Sequence, residues 1–219
     1  MEIQSGTVIL TGMTFTHGSS DLGGGLMIWD GSNVTLANSQ VSSNTATNAG
    51  GGIFNGGVLT LTDTLVSHNN SNATGGGVYI YGQHGGSLTA TRSTFSDNVA
   101  RNAGGGIFNS GGVLMLQDSF LVHNVATRVD GGGIYNTGGV VMLVGTTVNS
   151  NTARNGGGIY NDGGHLSVSS TTTNRPFNNN VASGKGNDIY YTVGSFDPPD
   201  DLILDVYAAT LNTKGGGRK

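Results

Sequence analysis

Cysteine is absent from this 219-residue chain, and charged residues, proline and long apolar runs are scarce. Without cysteine, the fold cannot contain disulfide bonds or thiolate metal ligands. The longest basic block is Arg218-Lys219, so the electrostatic footprint of a nucleic-acid-binding protein is missing. The chain has no run of about 18 apolar residues and starts without the basic and apolar regions of a signal peptide. The sequence therefore predicts no nucleic-acid partner and no membrane insertion.

Glycine, by contrast, is abundant, and its 40 residues are distributed periodically. Gly-Gly-Gly recurs every 25 to 29 residues, and each triplet leads into a short apolar run that contains an aromatic residue or methionine. The triplets begin at Gly23, Gly50, Gly75, Gly104, Gly131 and Gly156, and a degenerate copy follows at Gly186-Asn187-Asp188-Ile189-Tyr190. Periodic self-similarity of this length is typical of solenoid proteins.

Two more apolar columns follow each glycine triplet. The first alternates with polar residues, as a half-buried strand does, at Val34/Leu36, Leu59/Leu61, Leu88/Ala90, Leu114/Leu116, Val141/Leu143 and Leu166/Val168. The second contains Val41, Val66, Phe95, Leu121, Val148 and Phe177. Repeats this short leave no room for helical crossovers between parallel strands. We predict an all-β, single-domain, right-handed parallel β-helix of about seven coils, with three short strands per coil.

An asparagine occurs three residues after the last apolar column in six copies of the repeat. These residues are Asn44, Asn69, Asn98, Asn124, Asn151 and Asn180, and Gly18 takes the place in the first copy. Stacked coils would place them one above another, about 4.8 Å apart. An amide group can both donate and accept hydrogen bonds, so the sequence predicts a structural asparagine ladder along the helix.

Together, Gly-Gly-Gly-Ile and Phe-x-x-Asn resemble the repeat of the chlamydial polymorphic outer-membrane proteins. The half-motifs recur in register over residues 6–191, and the second is intact at Phe95-Ser96-Asp97-Asn98 and Phe177-Asn178-Asn179-Asn180. The resemblance implies a pectate-lyase-like β-helix that is extracellular or exposed at a cell surface and takes part in adhesion. Its partners would be surface glycans or other cell-surface proteins.

The sequence changes character after the last repeat. We expect residues 1–191 to form the β-helix and residues 192–219 to form a C-terminal tail that caps the last coil, because an open solenoid must protect its terminal strands from edge-to-edge pairing. Alternatively, the tail docks on a neighbouring subunit. No comparable cap is apparent at the N-terminal end, and this asymmetry suits head-to-tail assembly with a second copy of the chain.

Carboxylates are too sparse to suggest an active site. Asp63, Arg92 and Asp118 fall at matching positions of successive coils. Glycosidic cleavage needs two carboxyl groups roughly 5–10 Å apart, but an arginine between two aspartates is more simply a surface charge column. The sequence therefore predicts no catalytic residue, no cofactor and no enzymatic activity. The alternative is a carbohydrate-active or carbohydrate-binding β-helix of the pectate-lyase-like type.

Three other patterns have structural explanations that we prefer. His68, Asp97 and His123 share a column, but neighbouring side chains on a sheet splay apart, so we expect exposed polar residues and no metal site. The glycines and aspartate of residues 184–189 match a calcium-binding repeat in one copy only, which indicates a degenerate last coil. Threonine columns, at Thr35, Thr60, Thr89, Thr62 and Thr91, raise the alternative of ice binding, but β-propensity explains them.

Asparagine glycosylation sequons occur at Asn33, Asn69 and Asn72. Asn69 should point inward as a member of the ladder, whereas Asn33 and Asn72 are expected at turns and are the possible glycosylation sites. Taken together, the sequence predicts an extracellular structural or adhesive module, a subunit that stacks end to end into a surface fibre.

Overall fold

The computed structural model describes residues 1–169, 177–192, 195–197 and 206–208, and it is a parallel β-helix. The chain winds through four parallel sheets in turn, which we name A, B, C and D, and completes seven coils. Most of the predicted tail lies outside the described residues. Across the part of the chain that is described, no helix could cross a membrane, and the one helix there is the 3₁₀ turn Gly82–His84.

Each sheet collects one strand from every coil. Sheet A consists of Glu2–Ile3, Leu26–Ile28, Ile53–Asn55, Val78–Tyr81, Ile107–Ser110, Ile134–Thr137, Ile159–Asp162, Ile189–Tyr191 and Val206–Ala208. Sheet B consists of Gly6–Thr11, Ser32–Ala37, Val58–Thr62, Ser87–Thr91, Val113–Gln117, Val140–Val144, His165–Ser169 and Ser195–Asp197. Sheet C consists of Thr14–Thr16, Gln40–Ser42, Leu65–Ser67, Thr94–Ser96, Phe120–Val122, Thr147–Asn149 and Phe177–Asn178. Sheet D consists of Ser19–Leu22, Thr45–Ala49, Asn70–Ser71, Val99–Ala100, Val125–Ala126, Thr152–Ala153 and Val181–Ala182.

The predicted three strands per coil are therefore corrected to four. Sheet D follows the asparagine column directly, and five of its strands have only two residues. In each of these short strands one residue points outward and a small residue points inward, as with Val99 and Ala100. A two-residue strand shows no alternation in sequence, and a column of alanine and serine does not stand out as core.

The core is a single column of apolar side chains enclosed by the four sheets. The predicted columns of sheets B and C are buried in every coil from the second onward, with exposures of 0–3%. Sheet A adds an isoleucine, leucine or valine from each coil. Val8, Leu10 and Phe15 of the first coil pack on the same core but are only partly buried.

The glycine triplets let sheets A and D approach each other closely. In one triplet, Gly50 has a φ of +65°, a conformation that is unfavourable for residues with a Cβ atom. A Cβ atom on Gly51 would lie 2.5 Å from the carbonyl oxygen of Asn70 in sheet D of the same coil. A Cβ atom on Gly52 would lie 2.9 Å from the Asn69 amide. The three glycines thus supply the turn, the contact with sheet D and the space for the ladder.

Candidate functional surface

The predicted asparagine ladder is confirmed. From Asn44 to Asn180, each side-chain nitrogen donates to the side-chain oxygen of the asparagine in the next coil, at 3.0 Å. The same oxygen also accepts from the preceding asparagine's backbone N–H. A second donation goes to a sheet C carbonyl of the preceding coil, as from Asn124 to Phe95 at 2.9 Å. Each amide is buried, and from Asn69 to Asn180 its hydrogen-bonding capacity is filled, which fixes the corner between sheets C and D.

A left-handed residue aims each asparagine into the coil. The residue before every ladder position has a φ between 52° and 58°, and the first coil has the same conformation at His17. This column also contains His68, Asp97 and His123, whose side chains stay outside. His123 Nδ1 lies 4.0 Å from Asp97 Oδ1, and both side chains are exposed. Among the described residues, no group of three histidine or acidic side chains is arranged to hold a metal ion.

A second asparagine ladder, not predicted from the sequence, lies at the corner between sheets A and B. Asn109 donates to Asn136 at 2.8 Å, Asn136 donates to Asn161 at 2.6 Å, and all three are fully buried. Asn136 and Asn161 also donate to glycine carbonyls three residues later, Gly139 and Gly164. The recurring Ile-aromatic-Asn-x-Gly-Gly could have revealed this column.

Hydroxyl groups form a third column at the corner between sheets B and C. Ser93 is typical, because its hydroxyl donates to the Thr91 carbonyl at 3.0 Å and accepts from the Thr64 backbone N–H at 3.2 Å. The column consists of Ser39, Thr64, Ser93, Ser119 and Thr146. Throughout the described chain, every buried side-chain nitrogen and oxygen has a hydrogen-bond partner. The core is therefore polar at three corners without carrying an unsatisfied group.

The predicted charge column lies on the surface at the corner between sheets B and C. Arg92 donates through Nε and Nη2 to the two carboxylate oxygens of Asp63, both at 2.8 Å. These hydrogen bonds lower the pKa of Asp63. Asp118, one coil further on, accepts from Gln117 at 3.4 Å. Asp63 thus keeps its charge near neutral pH, which does not suit a general acid.

The two predicted glycosylation sites are accessible. Asn33 and Asn72 are both exposed, whereas Asn69 is buried in the ladder. Asn33 lies within the strand Ser32–Ala37 and not at a turn, because its strand in sheet B begins one residue earlier. Asn72 lies at a bend directly after the strand Asn70–Ser71.

Aromatic rings form a continuous stack on the outer side of sheet A. The centroids of neighbouring rings lie 4.8–5.4 Å apart, and the interplanar angles are 3–8°. This aromatic stack consists of Phe54, Tyr79, Phe108, Tyr135, Tyr160 and Tyr190. Because each ring covers its neighbour's faces, the stack presents ring edges and hydroxyl groups to the outside. Burial raises the pKa of Tyr135 to about 12, with contributions from the charges of Asp162 and Asp130.

The aromatic stack is widened at its N-terminal end. Trp29 lies 6.2 Å from Phe54 in a tilted arrangement, and its indole N–H donates to Glu2 at 2.7 Å. This hydrogen bond lowers the pKa of Glu2. The ring centroid of Tyr81 also lies 6.0 Å from that of Phe54. These contacts leave Phe54 only 6% exposed although it lies outside the coil.

One comparison with known proteins gives a match. Residues 1–140 match the family model described as "right handed beta helix region", which confirms the predicted hand and fold class. No curated protein and no solved structure matches the chain.

Proposed function

The chain belongs to the right-handed β-helix family, and we propose that it is a rigid extracellular rod that serves structural and adhesive roles at a cell surface. One observation carries the proposal: columns of hydrogen-bonded or stacked side chains run along the coils inside and outside. Such columns tie each coil to the next and hold the outer residues in fixed rows. A rod of seven coils would be about 34 Å long at about 4.8 Å per coil.

Assembly end to end is part of this proposal. In the first coil, Val8, Leu10 and Phe15 pack on the core but remain partly exposed. Within the described residues, no strand pairs with the outer edge of Gly6–Thr11 or Thr14–Thr16. An open edge beside exposed apolar side chains is a template for further strand pairing. A second copy adding its last coil there would continue the sheets and the core.

The placement at a cell surface rests on the resemblance to the chlamydial polymorphic outer-membrane proteins. Both half-motifs of that repeat have a physical role here, because the third glycine of each triplet makes room for the asparagine of Phe-x-x-Asn. Gly106, for example, lies against Asn124, where a Cβ atom would come within 3.1 Å of the amide carbon. This mutual dependence supports the use of the two half-motifs as one signature.

The carbohydrate-active alternative has weaker support. Of the two carboxylates in the charge column, Asp63 accepts hydrogen bonds from Arg92 Nε and Nη2, and its lowered pKa opposes proton donation. A binding role on the outer surface remains compatible with the adhesive proposal.

Electron microscopy of the purified protein over a concentration series tests the end-to-end assembly. We expect fibres with an axial repeat near one rod length. Leu10→Arg places a charge at the open end of the core and should abolish them, whereas Ile9→Arg, at a neighbouring side chain that is 71% exposed, should not. Isolated rods at every concentration would contradict the proposed assembly into fibres.

Adhesion is tested separately with beads coated with the protein. We expect these beads to bind to cell surfaces from the natural source, and heat-denatured protein on the same beads serves as the control. Equal binding of both preparations, or of neither, contradicts the adhesive role.

A further inference from the structure

Positive charge is concentrated at one corner of the coil. The described residues include five lysine and arginine side chains, and four of them lie at the turn between sheets D and A in four successive coils. This basic strip consists of Arg101, Arg128, Arg154 and Lys185, all of which are exposed. The fifth cation, Arg92, lies at the corner between sheets B and C and is paired with Asp63.

The strip is local within an acidic protein. The formal net charge of the chain is −4. In the first three coils, the sheet D strands and the bend after the third of them carry Asp21, Thr47, Asn48 and Asn72 in place of cations. The four charges of the strip extend along about 14 Å of the rod, at about 4.8 Å per coil. The corner therefore changes from acidic or neutral to basic along the axis.

The cations of the strip differ in whether an acidic side chain pairs with them. Arg154 donates to Asp130 at 3.2 and 3.3 Å, and the Asp130 side chain is buried. Arg101 and Arg128 form no ion pair with any residue that the structure describes. At least two exposed guanidinium groups in adjacent coils are thus available to a ligand.

The basic strip runs beside the tyrosines of the aromatic stack. Asp130, which Arg154 contacts, is close enough for its charge to act on both Tyr135 and Tyr160. On the other side of the stack, Asp162 accepts a hydrogen bond from Thr192 at 2.5 Å. An anionic chain would therefore lie over the tyrosine edges toward the arginines and away from Asp162.

We propose that the basic strip binds a linear anionic polysaccharide laid parallel to the rod axis. Guanidinium groups pair with sulfate or carboxylate groups, and tyrosine hydroxyl groups can donate to the same anions. Single-stranded nucleic acid fits less well, because its bases need open aromatic faces, and here neighbouring rings cover those faces. The inference deepens the adhesive role and rests on it.

The test measures binding of the full chain to dextran sulfate, with unsulfated dextran as the matched neutral polymer. The strip variant is the double substitution Arg101→Gln and Arg128→Gln. Arg92→Gln is the control, because it removes an exposed arginine at another corner. We expect wild type and the control to bind dextran sulfate but not unsulfated dextran. We expect the strip variant to bind dextran sulfate at least tenfold more weakly and with a smaller salt dependence.

Three results would overturn the inference. The first is that wild type binds neither dextran sulfate nor polygalacturonate. The second is that the control and the strip variant weaken binding equally. The third is that wild type binds oligothymidylate more tightly than both polysaccharides. Unchanged circular dichroism melting shows that the variants are folded. Beads that adhere while wild type binds neither anionic polysaccharide would remove this inference and leave the adhesive role. Polysaccharide binding by protein whose beads do not adhere would remove only the adhesive role.

Discussion

The two buried asparagine ladders differ in continuity, and the turns beside them differ in the same way. At the corner between sheets C and D, an asparagine is present in six successive coils, and the turn has the same length in each. At the corner between sheets A and B, Ile80 interrupts the column between Asn55 and Asn109. The turn after Ile80 is longer and contains the 3₁₀ helix Gly82–His84.

The comparison shows that a buried amide fixes the path of the chain. An amide must find backbone partners at hydrogen-bonding distance, so an insertion beside it would leave buried polar groups unpaired. The Ile80 side chain needs no hydrogen-bond partner, so the turn beside it can be longer. The added segment is anchored on the outside instead, where the Tyr81 and His84 rings lie 5.0 Å apart and His84 Nδ1 lies 3.4 Å from Asp30 Oδ2.

Breaking the continuous ladder should have the largest effect. Asn124→Ala removes the acceptor of two Asn98 donors and the donor to the Phe95 carbonyl. We expect unfolding free energy to fall by about 3–5 kcal/mol, because several buried groups lose partners together. Guanidinium unfolding measures the change. Asn72→Ala, at an exposed asparagine, should stay within about 0.5 kcal/mol, and equal losses in both variants would refute the ladder's role.

The interrupted ladder should tolerate the same change better. Asn136→Ala removes one acceptor and two donations, but Asn109 keeps its hydrogen bond to the Gly112 carbonyl. We expect a loss of about 2–3 kcal/mol in the same unfolding experiment. A loss larger than that of Asn124→Ala would reverse the ranking of the two corners.

A glycine substitution tests the space that the continuous ladder needs. The added Cβ atom of Gly106→Ala would lie 2.7 Å from the Gly133 carbonyl oxygen and 3.1 Å from the Asn124 amide carbon, and we expect it to cost about 2–3 kcal/mol. Gly111→Ala is the control, since that glycine has open space and a φ of +75°, and the backbone strain alone should cost about 1 kcal/mol. Thermal melting of both variants separates the clash from the strain. Indistinguishable melting temperatures would contradict close packing against the ladder.

The smallest effect concerns the exposed charge column, which neither ladder touches. Because Arg92 lowers the pKa of folded Asp63, this pair stabilises the protein above the ordinary aspartate pKa and loses its contribution as pH falls through the lowered value. Asp63→Asn should therefore lessen stability slightly at pH 7 and leave it unchanged at strongly acidic pH. Unfolding at several pH values measures this difference, and Asp97→Asn is the control. A difference that grows toward low pH would show that the sign is wrong.

The sequence could predict the fold and the first ladder because both depend on features that repeat in register. Val66, Phe95 and Leu121 mark one buried column, and Asn69, Asn98 and Asn124 follow at a constant distance. Parallel stacking then requires these residues to meet in successive coils. The same logic could have found Asn109, Asn136 and Asn161, but the gap at Ile80 and the uneven turns obscure their period.

Features outside the coil were harder to predict. Each aromatic residue of the stack follows a buried isoleucine or valine, so its position in the repeat could be seen in the sequence. A face-to-face stack, however, requires matching ring orientations that a sequence does not specify. The residues of the basic strip do not align at one position of the repeat, because Arg101 and Arg128 occupy different positions within their turns. Its charges converge only when the coils bring those turns together.

The continuous ladder also has an electrical direction. Every side-chain carbonyl points toward the preceding coil, and one side-chain N–H of each asparagine points toward the following coil. The dipoles of these hydrogen-bonded groups therefore add along the axis. The positive end of this row is the Asn180 N–H, which donates to the Asp188 carboxylate at 3.1 Å. A negative charge there is favoured for the reason that acidic residues are favoured at the N-terminus of an α-helix. Asp188, where the repeat degenerates, therefore terminates the ladder as a capping anion terminates a helix.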